Sequence, residues 1–186
     1  MTGKGSLNHN SRKFHAKNTD PNRTHWNVEY CNEDIKDVYH ELFDEALKRY
    51  NDKQTRKDRK IDDYYEKIRS GKQEKLFHEV ILQIGDKDNM GSETMEGQLA
   101  AKILDEYMKG FQERNPTLRV FAAHLHLDEA TPHLHIDFIP YVTGSKRGLD
   151  TRVSLKQALS SLGFKGGSRS ETELNQWVQS EKEKLV

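Results

Sequence analysis

Between Thr24 and Cys31, polar residues alternate with Trp26, Val28 and Tyr30, which predicts a half-buried strand. The period then becomes helical. From Glu33 to Tyr50 the residues Ile35, Val38, Tyr39, Leu42, Phe43, Ala46 and Tyr50 recur three and four positions apart. A short charged helix over Ile61 to Arg69 ends near Gly71, and Leu76 to Ile84 is a β-rich run closed by Gly85. The spacing predicts a long helix from Glu93 to Arg114, with Leu99, Ile103, Leu104, Tyr107, Met108 and Phe111 facing inward and Pro116 ending it. Leu118 to Leu127 and His133 to Tyr141 are two β-rich runs whose short separation predicts an antiparallel hairpin. A short helix from Val153 to Leu162 stops at Gly163. Ser170 with Glu173 then forms a capping box for a last helix still unfinished at Val186.

This order of elements predicts one α+β domain over residues 1–186, an antiparallel sheet with helices packed mainly on one face. Within it, residues 1–23 form a basic arm, and residues 170–186 begin a C-terminal helix expected to continue in a longer protein.

Composition narrows the class. A third of the 186 residues are hydrophobic and a third charged, with a mean hydropathy of -0.97. No apolar run approaches the roughly 18 residues of a membrane-spanning helix. The polar stretch Met1 to Arg12 and the single cysteine, Cys31, lead us to expect a cytoplasmic protein without disulfides, with Cys31 as packing. Acidic and basic residues balance at 30 each, yet their placement is uneven. Lys4, Arg12, Lys13, Lys17 and Arg23 face Asp20 alone in the first 27 residues, and a second basic segment runs from Lys146 to Arg169. Two such segments suit a phosphate backbone. Arg12, Lys13, Arg23, Lys146, Arg147 and Arg152 are the candidate DNA contacts, with Lys72 and Lys75 as weaker ones.

The chemistry concentrates in the predicted hairpin. Side chains on a strand alternate faces, so His133, His135 and Asp137 point one way while Leu134, Ile136 and Phe138 point into the core. His124 and His126 repeat the arrangement on the neighbouring strand. If the hairpin turns its polar faces together, three or four imidazoles come within a metal's reach. Asp128 is expected to fix the turn or to support an imidazole rather than bind metal itself.

The string His126-x-Asp128-Glu129-x-Thr131-Pro132-His133-x-His135 resembles the signature of the MobV, or Mob/Pre, relaxases. These belong to the HUH endonucleases, named for a His-hydrophobic-His triplet, here His133-Leu134-His135. Two amino-terminal blocks, His9-Asn10-Ser11-Arg12 and Asp20 to Asn27, are similar to the family's first conserved region. The resemblance implies a relaxase-type fold related to ferredoxin-like and palm domains. It also implies an enzyme that nicks one strand of origin-of-transfer DNA, single-stranded or hairpin, keeps the 5′ phosphate covalently and later rejoins it. By the family pattern His126, His133 and His135 hold one divalent ion, with Mn2+ or Mg2+ expected and Zn2+, Co2+ or Ni2+ as alternatives. His9 maps onto an amino-terminal histidine nucleophile, Glu129 onto an acidic residue close to the site, and Arg12 onto a basic residue beside the nucleophile. Accessory relaxosome and coupling proteins are the further partners implied.

Neutral imidazole has a free lone pair near pH 7, so His9 can attack without the deprotonation a tyrosine needs. Tyr64 and Tyr65 remain rival nucleophiles, since they resemble the paired tyrosines of other HUH enzymes. Tyr30, Tyr39, Tyr50 and Tyr107 fit apolar faces. The roles of His124, His15 and His25 stay open. Two other readings share the histidine cluster: a phosphodiesterase using activated water, and a silent DNA-binding or replication-initiation module.

Overall fold

The computed structural model describes residues 2–3 and 6–185; Lys4 of the basic arm and Val186 lie outside them. Its sheet is antiparallel, with strands β1 (Thr2–Gly3), β2 (Val28–Asn32), β3 (His78–Gln83), β4 (Leu118–His126), β5 (His133–Val142) and β6 (Arg152–Val153). The order is β1-β3-β5-β4-β2, and β6 pairs with the end of β5. The helices are α1 (Leu7–Asn10), α2 (Ile35–Asp52), α3 (Tyr64–Ser70), α4 (Met95–Lys109), α5 (Phe111–Arg114), α6 (Leu155–Ser161) and α7 (Glu173–Glu183). No helix among the described residues is long and apolar enough to cross a membrane.

Alternation along the central strands sorts the two faces. Val80, Leu82, Leu125, Leu134, Ile136 and Phe138 pack against Leu104, Phe111, Leu159 and Trp177 from α4 to α7. That layer holds most of the helices, as the pattern predicted. The other face is divided lengthwise. Phe121, Ala122 and Ile139 are covered by Val38, Phe43 and Tyr64 of α2 and α3, while nearer the hairpin turn the same face carries histidines. Capping fixes where the helices start: Asp34, Asp63, Thr94 and Ser154 each accept a backbone N–H of the first turn.

Several sequence expectations are corrected. The strand beginning at Thr24 starts at Val28, after a 3-10 turn over Thr24–Trp26, and a register shift between Glu29 and Cys31 breaks its alternation. Trp26 and Val28 are consequently exposed. The long helix stops at Lys109 and resumes after Gly110. Leu99 and Ile103 are exposed, because Gly97, Ala100, Ala101 and Leu104 form the buried stripe instead. Val153 belongs to β6, with Ser154 as the cap of α6. Thr172 rather than Ser170 caps α7, and that helix ends at Glu183.

Candidate metal and nucleophile site

The β4–β5 register sets His124 opposite His135 and His126 opposite His133. A strand pair placed this way puts all four side chains on one face. Three of them converge: ring centroids lie 5.2 Å apart for His126 and His133, 4.8 Å for His126 and His135, and 5.0 Å for His133 and His135. One nitrogen from each of these residues falls within 4.8 Å of the others. His124 is left outside this group and turns its Nε2 to Glu29 at 3.2 Å.

Each converging ring has an outer partner that settles which nitrogen faces inward. His126 donates Nε2–H to the carbonyl oxygen of Asn10 at 2.8 Å. His133 donates Nδ1–H to the Thr131 carbonyl at 2.8 Å, and His135 donates Nδ1–H to Glu79 Oε1 at 2.7 Å. The nitrogens left over are His126 Nδ1, His133 Nε2 and His135 Nε2. Two of these, His126 Nδ1 and His135 Nε2, are buried without a hydrogen-bond partner among the described residues. Buried polar atoms normally find partners, and three imidazole lone pairs aimed at one point, each ring held by a second hydrogen bond, suit a divalent cation. Burial also pulls the pKa values of His126 and His133 below the ordinary imidazole value, which keeps both rings neutral and able to ligate.

His9 reaches this group from α1. Its ring centroid is 6.0 Å from that of His126 and 6.4 Å from that of His135, and its Nε2 lies 3.3 Å from Glu129 Oε1. The amino-terminal segment is therefore no loose arm. Asn10 is buried, and its amide donates to Glu79 at 2.8 Å and to Asp137 at 3.1 Å. Arg12 donates through Nε and Nη2 to the two oxygens of Asp128 at 2.9 and 2.5 Å, and through Nη2 to Glu129 at 2.8 Å. Arg12 has a backbone φ of 52°, a left-handed conformation that a residue with a Cβ adopts at some strain. Its Nη1 serves the His9 carbonyl at 3.0 Å and lies 3.2 Å from His9 Nε2.

The turn that carries Glu129 is held from the opposite side. Ser92 donates its hydroxyl to the Glu129 carbonyl at 2.8 Å and its N–H to the Ala130 carbonyl at 3.1 Å. Behind Ser92, Gly97 of α4 sits so close to the Gly91 carbonyl that any side chain there would collide with it. A small residue in the helix's first turn thus lets the helix back up the loop that carries Glu129.

The remaining candidates disperse. Lys13 is exposed beside Arg12. Arg23 directs its guanidinium to Asp20 and to the carbonyls of Leu127 and Glu129, which makes it a strut of the turn rather than a free cation. Lys146, Arg147 and Arg152 sit beyond the far end of β5, so the two basic segments do not merge beside the histidines. His15 and His25 are exposed and His25 stacks edgewise on Trp26. Tyr64 is buried, accepts the Val153 N–H at 3.1 Å and packs on Phe43, and Tyr65 packs on Tyr39. Neither lines the cavity of about 300 Å³ bounded by His9, Asn18, Glu129, His133 and His135.

Sequence reasoning passed over Glu79 and Asp137 as a pair. They face each other across β3 and β5. Burial and the charge of Glu79 raise the Asp137 carboxyl to about 7, whereas for Glu79 the bonds from His135 and Asn10 outweigh burial and lower it. The available signal was the position of Glu79 in β3, in phase with Ile81 and Gln83 and out of phase with the core residues Val80 and Leu82.

Residues 5–184 match the family model described as plasmid recombination enzyme (Mob_Pre). Among solved structures, the Mn-bound MobM relaxase domain (MOBV; Mob_Pre) with a 22-nucleotide oriT DNA of plasmid pMV158 is 24% identical, with a TM-score of 0.53 over 96% of this chain and 76% of that one. The form carrying the same DNA with a 3′ thiophosphate is 23% identical, with a TM-score of 0.51 over the same shares. At these identities the likeness is one of fold. No curated protein sequence matches the chain significantly.

Proposed function

The chain belongs to the Mob/Pre family of plasmid recombination enzymes, MobV-type relaxases that nick DNA, and from that premise we propose that it cleaves and rejoins one strand of origin-of-transfer DNA through a covalent bond to His9. The observation that carries the reading is the juxtaposition of His9 with two orphaned, buried imidazole nitrogens on the β4–β5 hairpin.

His126, His133 and His135 are the residues that would hold the cation, through Nδ1, Nε2 and Nε2 in turn. An all-nitrogen donor set suits Mn2+ better than Mg2+, which prefers oxygen ligands. When bound, such an ion supplies Lewis acidity toward a non-bridging phosphate oxygen.

The protein's own groups supply the rest. Glu129 lies 3.3 Å from His9 Nε2, which Arg12 Nη1 also approaches at 3.2 Å, and the lone pair of the His9 ring attacks phosphorus. A P–N bond forms, the bond from phosphorus to the 3′ oxygen breaks, and the departing oxygen takes up a proton to become a 3′ hydroxyl. Glu129 takes the proton that the ring loses as it becomes positively charged and passes it to the departing 3′ oxygen. The phosphoramidate holds the 5′ phosphate until a 3′ hydroxyl returns. Arg12 positions both partners, because one guanidinium touches Glu129 and the backbone of His9. Lys13, exposed next to it, supplies a phosphate contact.

Incubation of the protein with labelled single-stranded origin DNA and Mn2+ tests the proposal. A denaturant-resistant protein–DNA adduct that His9→Ala removes, with DNA binding retained, is the expected result. Cleaved products without any adduct would point to water as the nucleophile and overturn it.

A further inference from the structure

A larger groove, of about 680 Å³, lies at the other end of the histidine face. Lys67 and Lys72, from α3 and the segment after it, line one side, and Arg147 and Arg152, from the loop after β5 and from β6, line the other. Four cations meet one carboxylate, Glu74. Tyr64 and Val153 on its floor belong to the apolar layer that also covers Ile139.

The arginines here differ from most of those elsewhere. Arg12, Arg23, Arg49, Arg56, Arg69, Arg114 and Arg119 face a carboxylate, whereas Arg59 and Arg169, outside the groove, do not. Among the described residues, Arg147 meets none, and Arg152 meets a hydroxyl, Ser145 Oγ at 3.0 Å. The loop that presents Arg147 is shaped from within. Gly144 and Gly148 take φ values of 69° and 70°, and Ser145 binds the carbonyls of Asp150 and Arg147. An ordered loop that holds an unpaired, exposed guanidinium opposite two lysines is built for a polyanion.

The strand itself gives the spacing. β6 pairs with Tyr141 and Val142, whereas the imidazoles sit at His133 and His135 of the same strand. Seven residues from His135 to Val142, at roughly 3.3 Å each, separate the two sites by about 23 Å. A stacked DNA strand rises about 3.4 Å per nucleotide, so that distance corresponds to about seven nucleotides. We propose that this groove is a second DNA grip, which binds the sugar-phosphate backbone about seven nucleotides from the cleaved phosphate and contributes affinity without taking part in the chemistry. The proposal rests on the nicking reading above.

Two substrates separate the sites. One carries about three nucleotides on either side of the nick and cannot span to the groove; the other carries about twelve on each side. Affinities are measured by fluorescence anisotropy with chelator present, across a salt series, for the wild type and for Lys72→Gln/Arg147→Gln, whose side chains are exposed and unpaired. The expected result is that the wild type prefers the long DNA, and that the double variant loses about tenfold on it and nothing on the short one. Its salt slope should also fall by between one and two units. Adduct formation on the short DNA should be unchanged. An equal loss on both lengths, or no loss on either, would overturn the second grip. A wild type that binds long DNA more tightly yet forms no adduct would sink the nicking chemistry and leave the grip standing.

Discussion

Arg12 grips Asp128 with two parallel hydrogen bonds, Nε to Oδ2 at 2.9 Å and Nη2 to Oδ1 at 2.5 Å, across 116 residues of sequence. Asp128 is fully buried. It also accepts from Thr24 Oγ1 at 3.1 Å and, through its own carbonyl, from the N–H of Asp20 at 2.7 Å, and its N–H donates to Asn27 Oδ1 at 3.1 Å. One carboxylate thus fastens the His9 segment and the 20–27 segment to the turn that carries Glu129.

Removing that charge should therefore uncouple assembly from metal binding. Burial works against ionisation of Asp128, yet the bonds from Arg12 and Thr24 outweigh it and hold the carboxyl at about 2. A depressed carboxylate stabilises the fold above its ordinary pKa and loses that contribution as pH falls toward 2, an effect of about 2 kcal/mol here. Asp128→Asn should lower stability by about that amount at pH 7 and flatten the acid limb of a denaturation series. It should also reduce adduct formation at least tenfold while leaving Mn2+ affinity close to wild type. Loss of Mn2+ binding in calorimetry would show that Asp128 supports the imidazoles instead.

Glu79 does support one of them. His126→Ala and His135→Ala should each abolish measurable Mn2+ binding, whereas Glu79→Gln should weaken it by about 10- to 100-fold, the range seen when an outer partner of a metal-bound histidine is removed. Equal affinities for wild type and His135→Ala in titration calorimetry would remove the metal site altogether.

Acid should release the metal late. His126 and His133 have pKa values lowered by burial, so protons compete with the ion at these two rings only below the usual histidine range near 6.5. Mn2+ affinity is expected to change less than about tenfold between pH 7.5 and 6. A drop approaching the roughly fiftyfold of three ordinary imidazoles titrating together would contradict the buried geometry.

Phe14 stands exposed, with its ring centroid 6.0 Å from that of His9. A bare aromatic ring beside His9 suits a stacked DNA base, worth about 1–3 kcal/mol. Phe14→Ala should weaken binding of short single-stranded DNA by about 5- to 150-fold without altering Mn2+ affinity or thermal stability. Phe14→Trp should restore it. Unchanged DNA affinity in Phe14→Ala would dismiss the stacking.

Tyr64→Phe offers a control on the nucleophile. Its hydroxyl accepts the buried Val153 N–H, so the variant should lose about 1 kcal/mol of stability and keep full adduct formation. Disappearance of the adduct would return the tyrosine to contention.

The histidines were legible in sequence because strand alternation is local: His133 and His135 share a face whatever surrounds them, and the short turn obliges His124 and His126 to join them. Alternation alone did not say which of the four converge; the resemblance singled out His126, His133 and His135, and in the structure His124 turns aside to Glu29. Glu79 and Asn10 were opaque for a similar reason. They meet across 69 residues of sequence, where α1 docks against β3, a contact that no local pattern encodes. Periodicity also failed at Leu99 and Ile103, where a hydrophobic pattern cannot tell that Gly97, Ala100 and Ala101 are the residues small enough to let α4 approach its neighbours. The capping box misread is of the same kind: Ser170 and Thr172 both carry hydroxyls ahead of the helix, and the chain's path chose the nearer one. The arm, expected to be basic, is ordered by Arg12 and Asn10, whose partners lie more than a hundred positions away or in another strand.

The docking of α1 onto strands made so much later has a consequence for how the enzyme comes into being. The ribosome releases His9 long before it has synthesised Asp128 and the imidazoles that give the ring its chemical setting. A polypeptide stalled before that hairpin therefore carries His9 without the setting built for it, and the site is complete only once the strands bearing the imidazoles have been made.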